Sequence, residues 1–224
     1  AIATGAGTLT KDGAGTLTLA GANTYTGATS VTAGGLLVTG TITGSTTTVS
    51  SGALIGGSGT TAALTVRGDG DLSPGDNSPD QFSVSGNLLL ETGANYIVEV
   101  VTGDQPGDGS IGYDQVVVTG TVGLTGANLV LDTTWLTDLT VGQQLTIIDN
   151  DASDAVVGLF ASLTEGAQVL VEGVPYFTIS YKGTTGTDND VVLTSLINYT
   201  TIPEPASLAM LALAAAGIVA RRRK

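Results

Sequence analysis

The fold prediction depends on one short stretch, Gly13-Ala14-Gly15-Thr16-Leu17-Thr18-Leu19. Its first six residues repeat the sequence Gly5-Ala6-Gly7-Thr8-Leu9-Thr10, which lies eight residues earlier. Successive side chains of a strand point to opposite faces, so both leucines of Thr16–Leu19 would share one face and both threonines the other. Because β-branched residues favour strands, the stretch predicts a β-strand with one apolar face.

Glycine-rich turns and further apolar runs extend this pattern along most of the chain. Gly21-Ala22-Asn23, Gly27 and Gly34-Gly35 interrupt the first strands, because Gly and Asn adopt the conformations that tight turns need. Further turns are predicted at residues 56–59, 68–71 and 74–77. The predicted strands are residues 29–32, 36–38, 46–50, 53–55, 63–66, 81–84, 87–90, 95–101, 115–118, 128–131, 143–148, 178–181 and 191–194. The chain is therefore predicted to be all-β.

The composition excludes several kinds of chemistry. The 224 residues include no cysteine and no histidine, which excludes disulfides, thiol catalysis, the usual zinc sites and a Ser-His-Asp triad. Residues 1–202 hold three cations, Lys11, Arg67 and Lys182, against 19 acids, which gives a net charge of −16. Nucleic acid is not an expected partner, because phosphate binding needs a cationic stripe. No cofactor is expected.

Residues 9–38 contain three short motifs: Thr10-Lys11, Asn23-Thr24-Tyr25-Thr26-Gly27 and Gly35-Leu36-Leu37-Val38. With these motifs the stretch resembles one autotransporter-associated β-strand repeat, also called a passenger-associated transport repeat. The resemblance implies a right-handed parallel β-helix, whereas the alternation alone also fits a β-sandwich. At roughly 20–25 residues per coil, residues 1–132 would supply about five or six coils.

The region after residue 132 is predicted to close the end of the β-helix. Its strands are longer and poorer in Gly, and a solenoid needs its open end covered. Residues 133–196 are therefore predicted to form a β-rich cap, for which antiparallel pairing is an option, and residues 197–201 a linker. Trp135, the only tryptophan, is expected to pack over the last coils; stacking against a ligand is the alternative.

The C-terminal residues have three parts in a fixed order. Ile202-Pro203-Glu204-Pro205 comes first, a mostly apolar stretch of residues 206–220 comes second, and Arg221-Arg222-Arg223-Lys224 comes last. The prolines exclude a helix through the first part, whereas the apolar residues favour a helix in the second. The 15 residues of the second part would rise about 22 Å as a helix, less than the ~30 Å hydrocarbon core of a membrane. A plain short anchor and a buried helix are the alternatives to a processed signal.

This tail resembles the PEP-CTERM sorting signal of Gram-negative bacteria. The matching residues are Pro203, Glu204 and Pro205 for the motif, residues 206–220 for a single short hydrophobic helix, and Arg221, Arg222, Arg223 and Lys224 for the basic end. The resemblance implies that an exosortase-type membrane protease binds the motif and cleaves nearby. The helix would lie transiently in the inner membrane with its cations in the cytoplasm, and the mature protein would reach the cell surface or the extracellular matrix. A secretory signal peptide is expected upstream of Ala1.

Clustered carboxylates are the only candidates for chemistry at a site. The groups are Asp69, Asp71, Asp76 and Asp80; Asp149, Asp151 and Asp154; and Asp188 and Asp190. Carboxylates suit calcium, but the first group lacks the Gly and Glu of an EF-hand loop, and Asp also forms turns for local backbone reasons. Turn formation is the favoured interpretation, and no metal site is predicted. Asn23 is expected to bond to the backbone at a corner and Tyr25 to pack in the core, with ligand binding as the alternative for both.

These features together predict a non-enzymatic exported surface or matrix protein with a structural or adhesive role. No catalytic residue is predicted, because β-helical sugar-cleaving enzymes place basic residues beside their paired acids and few cations are available here. The main alternative is a carbohydrate- or calcium-dependent binding module, with an extracellular polysaccharide as its partner. A polysaccharide-degrading β-helix enzyme is the third hypothesis.

Overall fold

The computed structural model describes residues 1–2, 5–75, 78–106, 112–150, 154–183 and 189–200. Within these ranges the chain forms 23 β-strands and no helix, which confirms the predicted all-β class. The predicted hydrophobic helix of residues 206–220 lies outside the described residues. Across the described ranges, no helix is long and apolar enough to cross a membrane.

The strands are short and follow one another closely along the chain. Their bounds are β1 Leu9–Lys11, β2 Thr16–Leu19, β3 Thr29–Val31, β4 Gly34–Val38, β5 Thr41–Ile42, β6 Thr47–Val49, β7 Ala53–Gly57, β8 Thr60–Thr61, β9 Leu64–Val66, β10 Asp71–Pro74, β11 Gln81–Val84, β12 Leu88–Leu90, β13 Asn95–Glu99, β14 Gln115–Val118, β15 Val122–Thr125, β16 Asn128–Asp132, β17 Asp138–Leu139, β18 Gln144–Asn150, β19 Val157–Leu159, β20 Gln168–Val171, β21 Val174–Ser180, β22 Val191–Ser195 and β23 Tyr199–Thr200.

Three sheets run along the molecule, and successive strands of the chain belong to them in turn. Sheet 1 has the order β1-β3-β6-β9-β12-β15-β19, sheet 2 the order β2-β4-β7-β10-β13-β16, and sheet 3 begins β5-β8-β11-β14-β18. All of these neighbours pair in parallel, as the ladders of β3 with β6 and of β4 with β7 illustrate. Each circuit of the three sheets is one coil, so the fold is a parallel β-solenoid.

The coils lengthen towards the C-terminal end. In sheet 1, Leu9 pairs with Thr29 and Thr29 pairs with Thr47, so the first coils are 20 and 18 residues long. Leu88 pairs with Val122 further along, a coil of 34 residues. Six coils are complete at β18, and the first of them reaches sheet 3 only through an isolated bridge between Ala22 and Thr41. Residues 1–132 thus hold five complete coils and two strands of a sixth, which agrees with the predicted number of about five or six, although coils of 18 and 34 residues lie outside the predicted 20–25.

Apolar ladders fill the inside of the solenoid. Val31, Val49, Val66, Leu90 and Leu124 are stacked in register along sheet 1 and are fully buried. Their side chains point into the solenoid, because alternate side chains of a strand share one face. Burial of each such side chain contributes about 1.5–3 kcal/mol. The same alternation that predicted strands therefore builds the core.

The structure confirms a turn at residues 68–70 but places parts of three predicted turns in strands. Turns were predicted at residues 68–71 and 74–77, but Asp71 and Pro74 are the first and last residues of β10, in the middle of sheet 2. Gly56 and Gly57, in the predicted turn 56–59, belong to β7 and pair with Ser73 and Pro74. Leu72 alone is a weak strand signal, so pairing with β7 on one side and β13 on the other imposes the strand. Pairing with β13 stops at Leu72. Pro74, which has no backbone N–H, therefore does not need to donate a hydrogen bond to β13.

Parallel stacking continues past residue 132, and antiparallel strands follow it. β18 pairs in parallel with β14, and β19 in parallel with β15. On its other side β18 pairs with β22, which continues antiparallel through β21 to β20 at the edge of sheet 3. β17 and β23 form a separate two-stranded antiparallel sheet, so residues 199–200 of the expected linker lie in a strand.

Candidate functional site

The predicted sorting residues follow directly after the last described strand. Pro203, Glu204, Pro205 and the basic residues 221–224 all lie outside the described residues. The chain reaches this tail through β23, where Tyr199 pairs with Leu139 and Thr200 with Asp138. The structure therefore places Thr200, the last described residue, at the C-terminal end of the solenoid.

The two polar residues of the repeat have structural partners, as predicted. Asn23 is buried and donates its Nδ2 to the carbonyl oxygens of Gly21 at 2.7 Å and Thr41 at 3.2 Å. Its Oδ1 accepts the N–H of Ile2 at 2.6 Å. Tyr25 is only 3% exposed and its hydroxyl lies 2.6 Å from Thr29 Oγ1. Asn23 is thus a corner residue bonded to the backbone, and Tyr25 is a core residue that no glycan could stack on.

Lys11 has a structural role that the sequence did not indicate. It lies in register with Val31, at the first position of the apolar ladder of sheet 1, and is only 7% exposed. Its Nζ donates to three carbonyl oxygens, those of Asp12 at 3.2 Å, Gly13 at 2.7 Å and Ala33 at 2.8 Å. A buried charge is tolerated when it is hydrogen-bonded in this way. Lys11 therefore ties the first coil to the second.

Trp135 does not pack over the last coils, contrary to the prediction. It follows β16 in an irregular segment and is 70% exposed. The packing role belongs to Phe160 and Tyr181, because the ring of Phe160 stacks on that of Tyr96 with the centroids 6.3 Å apart. Tyr181 donates its hydroxyl to Leu163 O at 2.8 Å and accepts the N–H of Phe160. These aromatic residues close the end of the core and leave Trp135 in solvent.

The described residues of the first carboxylate cluster have separate structural roles. Asp69 has a positive φ of 59° in the turn before β10, which confirms turn formation there. Asp71 lies in a strand, and its Oδ1 accepts from Asn95 Nδ2 at 2.8 Å. Asp80 accepts the N–H of Gln81 at 2.8 Å, and Asp76 lies outside the described residues. The described members therefore serve the backbone and a neighbouring amide.

The second and third groups approach each other at the C-terminal end of β18. Asp190 Oδ1 accepts the N–H of Asn150 at 3.0 Å, and Asn150 Nδ2 donates to Asp154 O at 2.8 Å. Burial and the charge of Asp190 raise the pKa of Asp149. Asp151 and Asp188 lie outside the described residues. Across the described ranges no cluster of three or more His, Cys, Asp or Glu residues is arranged to hold a metal.

Among the described residues, the carboxyl group with the most strongly raised pKa is that of Asp114, which was not one of the candidates predicted from the sequence. Asp114 is fully buried, and its two oxygens accept the backbone N–H groups of Asp80 and Glu99, each at 2.9 Å. Burial raises the pKa of Asp114 to about 8, and the nearby charges of Glu99 and Asp80 also raise it. The only signal in the sequence is its place immediately before the strand Gln115–Val118. It joins successive coils at the point where the chain enters that strand.

A groove of about 520 Å³ crosses the C-terminal end of the solenoid. Residues 129–134 and Leu136 line one side, residues 170–172 and Tyr176 line the other, and Tyr199 closes one part of it. A second hollow of about 340 Å³ adjoins it and shares Leu129 and Leu170. We call the two together the end groove. It lies between β16, the last strand of sheet 2, and β20, the last strand of sheet 3.

The backbone of β16 leaves hydrogen-bonding groups facing the end groove. Asn128 N–H donates to Ala94 O, and Asp132 O accepts the N–H of Val100, so these residues face β13. Backbone groups alternate in direction along a strand. The N–H and C=O groups of Leu129 and Leu131 therefore point the other way, to the edge that no described strand covers.

Comparison with known families agrees with both resemblances drawn from the sequence. Residues 9–38 match the passenger-associated transport repeat, which here covers β1 to β4. Residues 201–224 match the PEP-CTERM protein-sorting motif. No curated protein matches the chain at a significant level. The motif implies an exported protein that is sorted at the membrane by an exosortase. The chain thus carries a passenger-associated transport repeat in its first coils and a PEP-CTERM protein-sorting motif at its C-terminal end.

Proposed function

We propose that the chain is a non-enzymatic structural or adhesive protein of the bacterial cell surface or extracellular matrix. An exosortase would cleave near Pro203, Glu204 and Pro205 and so release the solenoid from its membrane-bound tail. The observation that carries the proposal is the sorting motif of residues 201–224, which begins immediately after the last strand of a β-solenoid. Before cleavage, residues 206–220 would lie in the inner membrane as a short helix.

The shape and charge of the solenoid support a structural role. Neighbouring strands are about 4.8 Å apart, so six coils make a shaft of roughly 30 Å to which upstream coils could be added. Residues 1–202 carry a net charge of −16 and no cysteine, which favours a soluble surface that needs no reducing compartment. The buried acid Asp114 binds backbone amides instead of facing a cleft, which supports a non-enzymatic role.

The sorting step is tested by changing the two prolines of the motif. Pro203→Ala with Pro205→Ala is expected to leave most of the protein in the inner-membrane fraction, because the stiff segment that the protease would bind is lost. Pro175→Ala is the matched control, since Pro175 is an exposed proline of β21. Cell fractionation with immunoblotting measures the distribution. An unchanged distribution in the double variant would contradict the proposal.

Carbohydrate binding is a second candidate function, and the exposure of Trp135 favours it. An indole that is 70% exposed offers a flat face of the kind that stacks on sugars or on a partner protein. Trp135→Ala is expected to lower binding to a polysaccharide at least about tenfold, while Val141→Ala, a change at another exposed apolar residue, leaves it unchanged. Binding of the exported protein to a glycan panel measures both. Failure to bind any glycan removes this candidate.

A further inference from the structure

The end groove is lined by polar as well as apolar side chains. Half of the twelve residues around its larger hollow carry a carboxylate or a hydroxyl group: Asp132, Thr133, Thr134, Glu172, Tyr176 and Tyr199. The smaller hollow continues this wall past Ser162 and Gln168. A wholly apolar ligand would take water from these groups without replacing their hydrogen bonds, at a cost in free energy. The two adjoining hollows therefore fit an extended ligand with polar groups along its length.

The edge of β16 adds backbone donors and acceptors to the same wall. The N–H and C=O groups of Leu129 and Leu131 point to the groove, at the edge that no described strand covers. These two residues lie about 7 Å apart along the strand. A hydroxyl group both donates and accepts hydrogen bonds, so a chain of sugars can satisfy the N–H groups and the C=O groups at once.

Aromatic side chains lie in the groove and at its margin. Tyr199 is 37% exposed and lines the groove together with Tyr176. Trp135 is 70% exposed and stands between Thr134 and Leu136, which both line the groove. Tyr and Trp each combine an apolar ring with a polar tip. Such rings match a sugar, which has an apolar face and a polar rim.

The charge of the groove selects among sugar polymers. Asp132 and Glu172 stand on its two sides, and the described residues that line either hollow include no Lys or Arg. Residues 1–202 carry a net charge of −16, so an acidic polysaccharide would be repelled. Ammonium groups would instead donate charge-assisted hydrogen bonds to both carboxylates. The groove thus favours a sugar polymer with positive charge.

We propose that the end groove binds an extracellular polysaccharide that carries free amino groups. Asp132 and Glu172 accept hydrogen bonds from its ammonium groups, the edge of β16 binds its hydroxyls, and Tyr199 stacks on a sugar ring. This inference rests on carbohydrate binding, the second candidate function above, and adds to it the binding site and the charge of the ligand. It does not depend on the sorting step.

A pair of matched oligosaccharides tests the charge of the ligand. The exported protein is titrated in a calorimeter with the hexamer of glucosamine and with the hexamer of N-acetylglucosamine, at about pH 6, where amines are protonated and carboxylates ionised. The two hexamers share their rings and linkages, and only the first carries ammonium groups. We expect the glucosamine hexamer to bind at least about tenfold more tightly. Equal affinities would overturn the proposal.

Two pairs of substitutions test the location of the site. Asp132→Asn with Glu172→Gln is expected to lower the affinity for the glucosamine hexamer at least about tenfold, because both charged acceptors are lost. Asparagine retains the oxygen that accepts the N–H of Thr134 at 2.9 Å, so the local turn is preserved. Glu91→Gln with Asp104→Asn removes the same charge outside the groove and should change the affinity by less than about twofold.

The outcomes separate the groove from the carbohydrate-binding candidate. Equal losses in the two pairs would assign the binding to the acidic surface as a whole and overturn the groove. Normal binding in the groove pair with loss in Trp135→Ala would also overturn it, while the candidate function would stand. Tighter binding of an extended peptide of alternating valine and lysine would assign the groove to a protein partner instead. Failure of every glycan to bind would remove the site and the candidate together.

Discussion

Lys11 shows how a single buried cation stabilises the first two coils. Its ammonium group donates to three carbonyl oxygens around the corner that follows β1. Lys11→Ala is expected to lower the free energy of unfolding by about 2–3 kcal/mol, because three carbonyl oxygens lose a charged hydrogen-bond donor. Urea denaturation measures the change.

Lys182→Ala is the control for this substitution, since Lys182 is exposed and a surface change of this type is expected to stay within about 0.5 kcal/mol. If the two variants were equally stable, the corner role of Lys11 would be wrong.

Asp114 makes stability depend on pH in a defined direction. Its pKa is raised to about 8 in the folded chain, whereas an unfolded Asp titrates near pH 3.9. Between these values the folded state binds more protons than the unfolded state, so stability is greatest at low pH and falls as pH rises to about 8. We expect the free energy of unfolding of the wild type to fall with pH relative to that of Asp114→Asn, by at least about 1 kcal/mol from pH 5 to pH 8. Thermal or urea unfolding across this range measures both slopes, and parallel curves would contradict the assignment.

Residue roles were predictable where the local sequence defines them. Asn23 and Tyr25 were assigned correctly, because a Gly-flanked Asn serves a corner and a lone Tyr between turns packs inward. Lys11 and Asp114 were missed, since a charged residue in a polar sequence is normally taken to be exposed. Trp135 was placed wrongly, because the sequence does not show that Phe160 and Tyr181 already close the core.

At the scale of elements, the close approach of successive coils explains why the first position of β4 is a glycine. Gly34, at the start of β4, has a positive φ of 65°, and a Cβ there would lie 2.4 Å from Gly15 O and 2.5 Å from Gly13 O. Gly34→Ala is expected to cost about 2–5 kcal/mol, from the left-handed backbone and from the steric clash with the coil below.

Gly13→Ala separates these two contributions. Gly13 also has a positive φ, 77°, but a Cβ there meets nothing within 4 Å. It is expected to cost only the backbone strain of about 1–2 kcal/mol. Chemical denaturation compares the two variants, and equal losses would show that the coils do not touch at Gly34.

Strands with alternating apolar residues were predicted within a few residues, whereas short or polar strands were not. β4, β11 and β14 agree with the predicted positions. β8 is only two threonines long, and β10 contains a single leucine. These strands exist because a neighbouring coil offers its backbone edge on each side, and pairing between distant residues is not encoded in the local sequence.

At the scale of the whole molecule, the alternation predicted an all-β chain and the repeat of residues 9–38 implied parallel coils, which the three sheets confirm. The end groove was not predictable, because it results from the early end of sheet 2 at β16 and the return of β20. The role of the tail was predictable, since its three parts stand in sequence order and match the sorting motif. The prediction of the fold therefore rested on the strand-rich part of the chain, and the prediction of the function rested on the C-terminal tail.

The most direct test of the account is the C-terminal residue of the mature protein. The protein is recovered from the surface or matrix of the bacterium that makes it, and mass spectrometry identifies its last peptide. We predict that this peptide ends near Pro203, Glu204 and Pro205 and lacks Arg221 to Lys224, because an exosortase has removed the tail. A mature surface protein that still ends in Lys224 would contradict the sorting function.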